Sequence, residues 1–261
     1  MRVMVWNVWW RFGGNWRERE VSIAAMLEAY RPDVLGLTES WSGEGTDQPH
    51  RLAAPCGLHA AWAPSSVQPI STYAEQPGIE VGLGLLSRWP IVAMEAHELP
   101  TGQRGGPGPA ALLATVDHPR GPLYVVVART DPQSSPDRLV QCRALAALAT
   151  DQRLDGPLPV LLLGDLNAGV DQPALAPLVD AMVDTWSAAG ADPGAVTFDS
   201  TLPYAPRDAP ELIDRRIDHV FARAGRPGLH VAVHGAFLAG DRPCGGVYPS
   251  AHYAVGVDLE P

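Results

Sequence analysis

Val160-Leu161-Leu162-Leu163-Gly164-Asp165-Leu166-Asn167-Ala168 is an unbroken apolar run that ends in a glycine, a carboxylate and an amide. Four aliphatic residues in succession, with no polar alternation, read as a strand buried on both faces. Gly164 permits close backbone approach, and Asp165 and Asn167, two apart, point in one direction. The same plan recurs along the chain: Asn7 follows an apolar run at residues 3–6, Glu39 follows one at 33–37, Asp218 sits inside Arg216-Ile217-Asp218-His219, and His252 directly precedes one at 253–257. Further buried strands are expected at 81–86, 111–116, 123–128 and 217–221.

Helical patterns lie between these runs. Residues 19–30 place Ile23, Leu27 and Tyr30 on one face, with Pro32 marking the end. Residues 136–150 carry a stripe of Leu139, Cys142, Leu145, Ala146 and Leu148, with Ser135 as the expected cap and Pro136 in the first turn. Gly- and Pro-rich stretches at 43–77, 102–109 and 197–210 read as loops next to strand ends, where function is commonly carried. Strands separated by few helices in no regular alternation predict an α/β (α+β) fold of two packed mixed sheets with helices outside, rather than a doubly wound sheet. We expect residues 1–261 to form a single domain.

Composition narrows the function. A chain that is 46% hydrophobic and 18% charged can bury a substantial core and is neither disordered nor fibrous. Its net charge of -10 works against attachment to nucleic acid through the phosphate backbone. All 19 basic residues are Arg, which suits bidentate phosphate contacts and equally fits a bias in base composition. Cys56, Cys142 and Cys244 show no paired spacing, as expected in a reducing compartment. The apolar N-terminal run is too short for a secretory core, and no stretch approaches the roughly 20 residues of a membrane helix, so a soluble cytoplasmic protein is expected.

Strand ends converge at a sheet edge. Carboxylates, amides and an imidazole gathered there suit magnesium-assisted attack on the phosphorus of a small organic phosphate, because a hard cation takes oxygen ligands and the water needs a base. Taken singly, Asn7 and Glu39 read as ordinary turn residues and His252 as a core histidine. Their order along the chain decides between the readings.

That order resembles the endonuclease/exonuclease/phosphatase family, which includes DNase I, abasic-site endonucleases, sphingomyelinases and inositol phosphatases. The resemblance rests on Trp6-Asn7-Val8, Pro32-Asp33-Val34-Leu35-Gly36-Leu37-Thr38-Glu39, Gly84-Leu85-Leu86-Ser87-Arg88-Trp89-Pro90, Gly164 to Ala168, Arg216 to Phe221, and Ser250-Ala251-His252-Tyr253. It implies a DNase I-like four-layered α/β/β/α sandwich and Mg2+ (or Mn2+) held by Glu39 with Asn7 beside it. Asp165 would orient or deprotonate the attacking water and Asn167 would hold the phosphate. His252, its tautomer set by Asp218, would act as general base or would stabilise the pentacoordinate transition state.

The pattern breaks twice. The family's Ser-Asp-His is Ser250-Ala251-His252 here, and its Thr-His pair after the 123–128 strand is replaced by Arg129-Thr130-Asp131. Three explanations compete: relocation, with Asp131 supplying the missing metal carboxylate and Arg129 the missing positive charge; an engineered alanine; or a scaffold repurposed for binding or non-hydrolytic chemistry. A metal-dependent phosphoesterase, an altered binding or biosynthetic protein and, disfavoured by charge, a nuclease are therefore carried together. Arg129 and Arg88 are candidate phosphate contacts. Trp9 and Trp10, following Asn7, are either core residues or a substrate wall.

Overall fold

The computed structural model describes residues 1–65, 76–103, 105–106, 108–202 and 212–260. Parts of the three expected loops, at 66–75, 104, 107 and 203–210, lie outside the described residues. In chain order the elements are β1 (Arg2–Asn7), α1 (Trp16–Tyr30), β2 (Val34–Gly43), β3 (Thr46–Asp47), α2 (Gln48–Cys56), β4 (His59–Pro64), β5 (Glu80–Ser87), β6 (Ile91–Glu98), β7 (Ala110–His118), β8 (Gly121–Arg129) and α3 (Ser135–Ala149). They continue with β9 (Val160–Asp165), α4 (Ala176–Ala181), β10 (Val183–Asp184), α5 (Thr185–Ala188), β11 (Asp218–Arg223), β12 (Val233–Ala239) and β13 (Ala254–Leu259).

The strands form two mixed sheets. One is ordered β12-β13-β1-β2-β5-β4, with β3 paired to β2; the other is ordered β10-β11-β9-β8-β7-β6. The unbroken apolar runs follow from this layering, because each central strand is covered on both faces. In β1, Val3 and Val5 point into the core between the sheets, while Met4 and Trp6 pack with Ile23 and Leu27 of α1. In β9, Leu161 and Leu163 enter the same central core, and Val160 and Leu162 meet Cys142 and Leu145 of α3. A Cβ added to Gly36 would lie 3.0 Å from Leu163, so this glycine lets the sheets approach in mid-strand. The result is helix, sheet, sheet, helix, as the sequence predicted.

Details differ from expectation. Residues 43–65 are not a loop: Asp47 caps α2 through the His50 N–H, Pro49 occupies the first turn, and Gly57 ends the helix at φ 64°. α3 is capped by Ser134, not Ser135. The unanticipated β6 is a sheet edge whose side chains, Val92 and Met94 among them, are mostly exposed, so it carries no buried apolar signature. Among the described residues no helix is long and apolar enough to cross a membrane.

Candidate active site

Register brings the predicted residues to one edge. Parallel pairing of β8 with β9 sets Arg129 beside Asp165, and antiparallel pairing of β9 with β11 sets Asp165 beside Asp218. In the other sheet, parallel β1 and β2 set Asn7 beside Thr38, one residue from Glu39. Glu39 stands within β2 rather than beyond it, where the pairing with β5 slips between Leu37 and Ser40, and its φ is 52°. Such a bulge turns a side chain out of the pleat toward the sheet edge. Asn167 also has a left-handed φ, of 48°. Non-glycine residues held there cost of order 1–3 kcal/mol each and persist where the surroundings over-determine them, commonly at functional sites.

Across the two sheets, Asn7 Nδ2 donates to Glu39 Oε1 at 3.1 Å and to Asp165 Oδ2 at 2.9 Å, while Asn7 Oδ1 accepts from the Trp9 N–H. Arg129 Nη2 lies 2.8 Å from Glu39 Oε1, and its Nε lies 3.5 Å from Asp165 Oδ2. Asn167 donates its backbone N–H to Asp165 Oδ1 and one amide N–H to the Thr130 carbonyl. His252 Nδ1 is 2.9 Å from Asp218 Oδ2, the ring stacks on Phe198 at 4.4 Å, and its backbone N–H donates to Ser250 Oγ. One ligand atom from each of Asp165, Asp218 and His252 lies within 4.8 Å of the others. Burial opposes a charge on His252, but the neighbouring Asp218 carboxylate outweighs it, helped by Asp165 and Glu39, and raises its pKa to about 9. The imidazole is therefore protonated at neutral pH.

A family model for the endonuclease/exonuclease/phosphatase family matches residues 4–252, nearly the whole length. The chain belongs to this family. No curated protein matches it by sequence. Among solved structures, an endonuclease/exonuclease/phosphatase from Beutenbergia cavernae is 28% identical with a TM-score of 0.71, all of this chain aligning with 71% of that one. TDP2 from D. rerio, solved with a single-strand DNA product, is 19% identical at TM-score 0.73, with 100% and 99% of the two chains covered. A mannosyl-6-phosphatase from Bacteroides thetaiotaomicron is 15% identical at TM-score 0.72, with the same coverage. The last two likenesses are of fold.

Against the endonuclease/exonuclease/phosphatase pattern, several expectations need correction. Arg88 is at the far end of the sheet: it follows β5, its N–H bonds the Asp33 carbonyl where β2 begins, and its guanidinium pairs with Asp33 at 3.0 Å. It cannot join a site at the opposite end of β2. Trp10 is a core residue, packed with Phe12, Trp41 and Val81 and donating its indole N–H to the Glu80 carbonyl. Trp9 is half-buried and packs against the cluster containing Ala251 and Phe198, so it alone of the pair can form a wall. Asp131 has its Oδ1 accepting from the backbone N–H groups of Gln133 and Ser134 in the turn that enters α3, and its charge acts on Arg129. Ala251 is fully buried with Phe198, Leu212 and Ile217, surroundings that suit alanine.

The family commonly uses divalent metals. The Glu39 end of this site does not fit one: Asn7 presents nitrogen, not oxygen, to both carboxylates; Glu39 is already paired with a guanidinium; and position 251 offers no carboxylate. The Asp165, Asp218 and His252 group is the described cluster compact enough to hold a cation, and it would have to displace the proton of His252.

Sequence reading missed the residues that hold this edge together. Thr197 Oγ1 accepts from the Ile217 and Asp218 N–H groups, and Ser250 Oγ donates to the Asn7 carbonyl. His219, inside the recognised motif, anchors the 165–168 turn: its Nε2 donates to the Ala168 carbonyl, and its Nδ1 accepts from Arg216, itself paired with Asp184. Burial and then the Arg216 charge push its pKa down to about 3. An unfolded histidine takes up a proton near pH 6.5 that the folded one refuses, so this residue costs stability as pH falls below that value. Urea unfolding between pH 7 and 5 should show a loss of up to about 1.4 kcal/mol per pH unit from this group. Equal slopes in the wild type and His219→Gln would refute the assignment.

Proposed function

We propose that this chain hydrolyses the phosphate ester of a small organic molecule by attack of water on phosphorus. The observation that carries this reading is the His252–Asp218 pair facing Asp165, with the three groups within 4.8 Å of one another. Asp165, buried and fixed by Asn7 and Asn167, is placed to orient the water and accept its proton. Asn167, with its remaining amide N–H, and Arg129 hold the phosphoryl oxygens. His252, protonated at neutral pH, donates its Nε2 proton to the leaving oxygen as the P–O bond breaks, and Asp218 stabilises the imidazolium. Water supplies the new P–O bond, so the products are an alcohol and phosphate. This assigns His252 as acid and transition-state stabiliser rather than base. The magnesium or manganese implied by the resemblance supplies no step in this scheme.

A small substrate is favoured over nucleic acid by the net charge of -10. The free cysteines accord with a reducing, cytoplasmic setting. The Arg129–Glu39 pair favours a second reading, in which the site binds a phosphorylated ligand without turning it over. Purified protein incubated with phosphomonoesters, phosphodiesters and DNA should release product from a small ester. No turnover anywhere, with or without magnesium, removes the hydrolase reading and leaves the binding one.

A further inference from the structure

We propose that Arg129 is a built-in cation that takes the place of a divalent metal between Glu39 and Asp165, so that phosphate binding at this site is metal-independent. The inference rests on the phosphoester-binding reading above and goes beyond it by giving Arg129 the place of the metal and so making phosphate binding independent of one.

Four independent features agree. The guanidinium is within 2.8 Å of Glu39 Oε1 and 3.5 Å of Asp165 Oδ2, bridging carboxylates contributed by different sheets, which is the bridging role a cation would have. The Asn7 amide has its nitrogen toward both carboxylates and its oxygen accepting from the Trp9 N–H, an orientation that turns a donor rather than an oxygen ligand toward the space between Glu39 and Asp165. Ala251 is sealed among apolar side chains, so no third carboxylate raises the local demand for positive charge. A guanidinium keeps its charge at every working pH, so the cation between these two carboxylates is permanent.

Accessibility then assigns the direction of binding. The Arg129 side chain is 17% exposed, against 9% for Glu39 and 1% for Asp165, so an incoming phosphate reaches the guanidinium before either carboxylate. Planar guanidinium donors match phosphate oxygens in pairs, whereas lysine presents a point charge.

The test uses the full chain stripped with EDTA. Calorimetry with inorganic phosphate is expected to give the same affinity with and without excess magnesium. Electron paramagnetic resonance with Mn2+ is expected to show no stoichiometric bound ion in the wild type. Arg129→Gln should weaken phosphate at least tenfold and Arg129→Lys should weaken it less; if Arg129→Gln does not fold, the wild-type measurements and Arg129→Lys still decide. Stoichiometric Mn2+ binding by the wild type, loss of phosphate binding on chelation, or unchanged phosphate affinity in a folded Arg129→Gln would each overturn the proposal. Metal-free phosphate binding without ester turnover would sink the hydrolase reading alone, and turnover that requires magnesium would sink this inference alone.

Discussion

His252→Gln is expected to lower kcat/KM for the best ester substrate by roughly 10²–10⁴-fold, the range that a positioned acid or base contributes. The argument is geometric first: the ring is held between Phe198 and Asp218, the backbone N–H of His252 is fixed by the Ser250 hydroxyl, and His252 is the imidazole that faces Asp165 at this edge. Its protonation gives a second readout. With a pKa raised to about 9, the wild-type rate should fall as pH rises through that value, and the fall should vanish in His252→Gln. The same shift stabilises the fold fully below about pH 6.5, and that contribution is lost as pH rises through about 9. A rate that instead climbs across pH 8–10 would make His252 the base and reverse its role.

Sequence resolved more of this site than of the fold around it. Asn7, Asp165, Asp218 and His252 were legible because each ends or borders a strand covered on both faces, which leaves an uninterrupted apolar run as a marker. Glu39 was legible as a motif residue, but not the bulge that aims it, since Thr38 and Ser40 give no local signal for a left-handed backbone. β6 and β12 escaped because their side chains are largely partly or fully exposed and carry weak periodicity. α2 was hidden inside a Gly- and Pro-rich stretch although Asp47, Pro49 and Gly57 are ordinary start and stop signals. Arg88 and Arg129 look alike in sequence, each next to a strand end. Only strand direction separates them, because β5 runs antiparallel to β2 and carries Arg88 to the wrong edge.

Arg19 is the largest omission, and its removal is the largest expected loss of stability. It reads as a polar residue near the start of α1, yet it is 1% exposed. Its Nη1 donates to the Val8 carbonyl at 2.9 Å, and its Nη2 donates to the carbonyls of Trp9, Trp10 and Phe12 at 3.2, 2.9 and 2.9 Å. These carbonyls belong to a turn in which Trp9 and Trp10 hold φ of 58° and 38°, a strained pair that would relax without its tether. The turn matters to the site because the Trp9 N–H orients Asn7 Oδ1 and the Trp10 N–H bonds the Glu39 carbonyl. Arg19→Met keeps most of the volume and removes every donor, leaving several buried carbonyls unsatisfied at about 1–3 kcal/mol each before relaxation. We expect a net cost of about 3–5 kcal/mol, a drop in Tm of roughly 6–20 °C for a chain of this size, measured by thermal or urea unfolding. Arg19→Lys should recover only part of it, since one ammonium cannot span carbonyls fanned around a planar fork. A shift below about 2 °C in Arg19→Met, which corresponds to less than about 1 kcal/mol, would show that the turn holds its shape unaided and that the orientation of Asn7 has another origin.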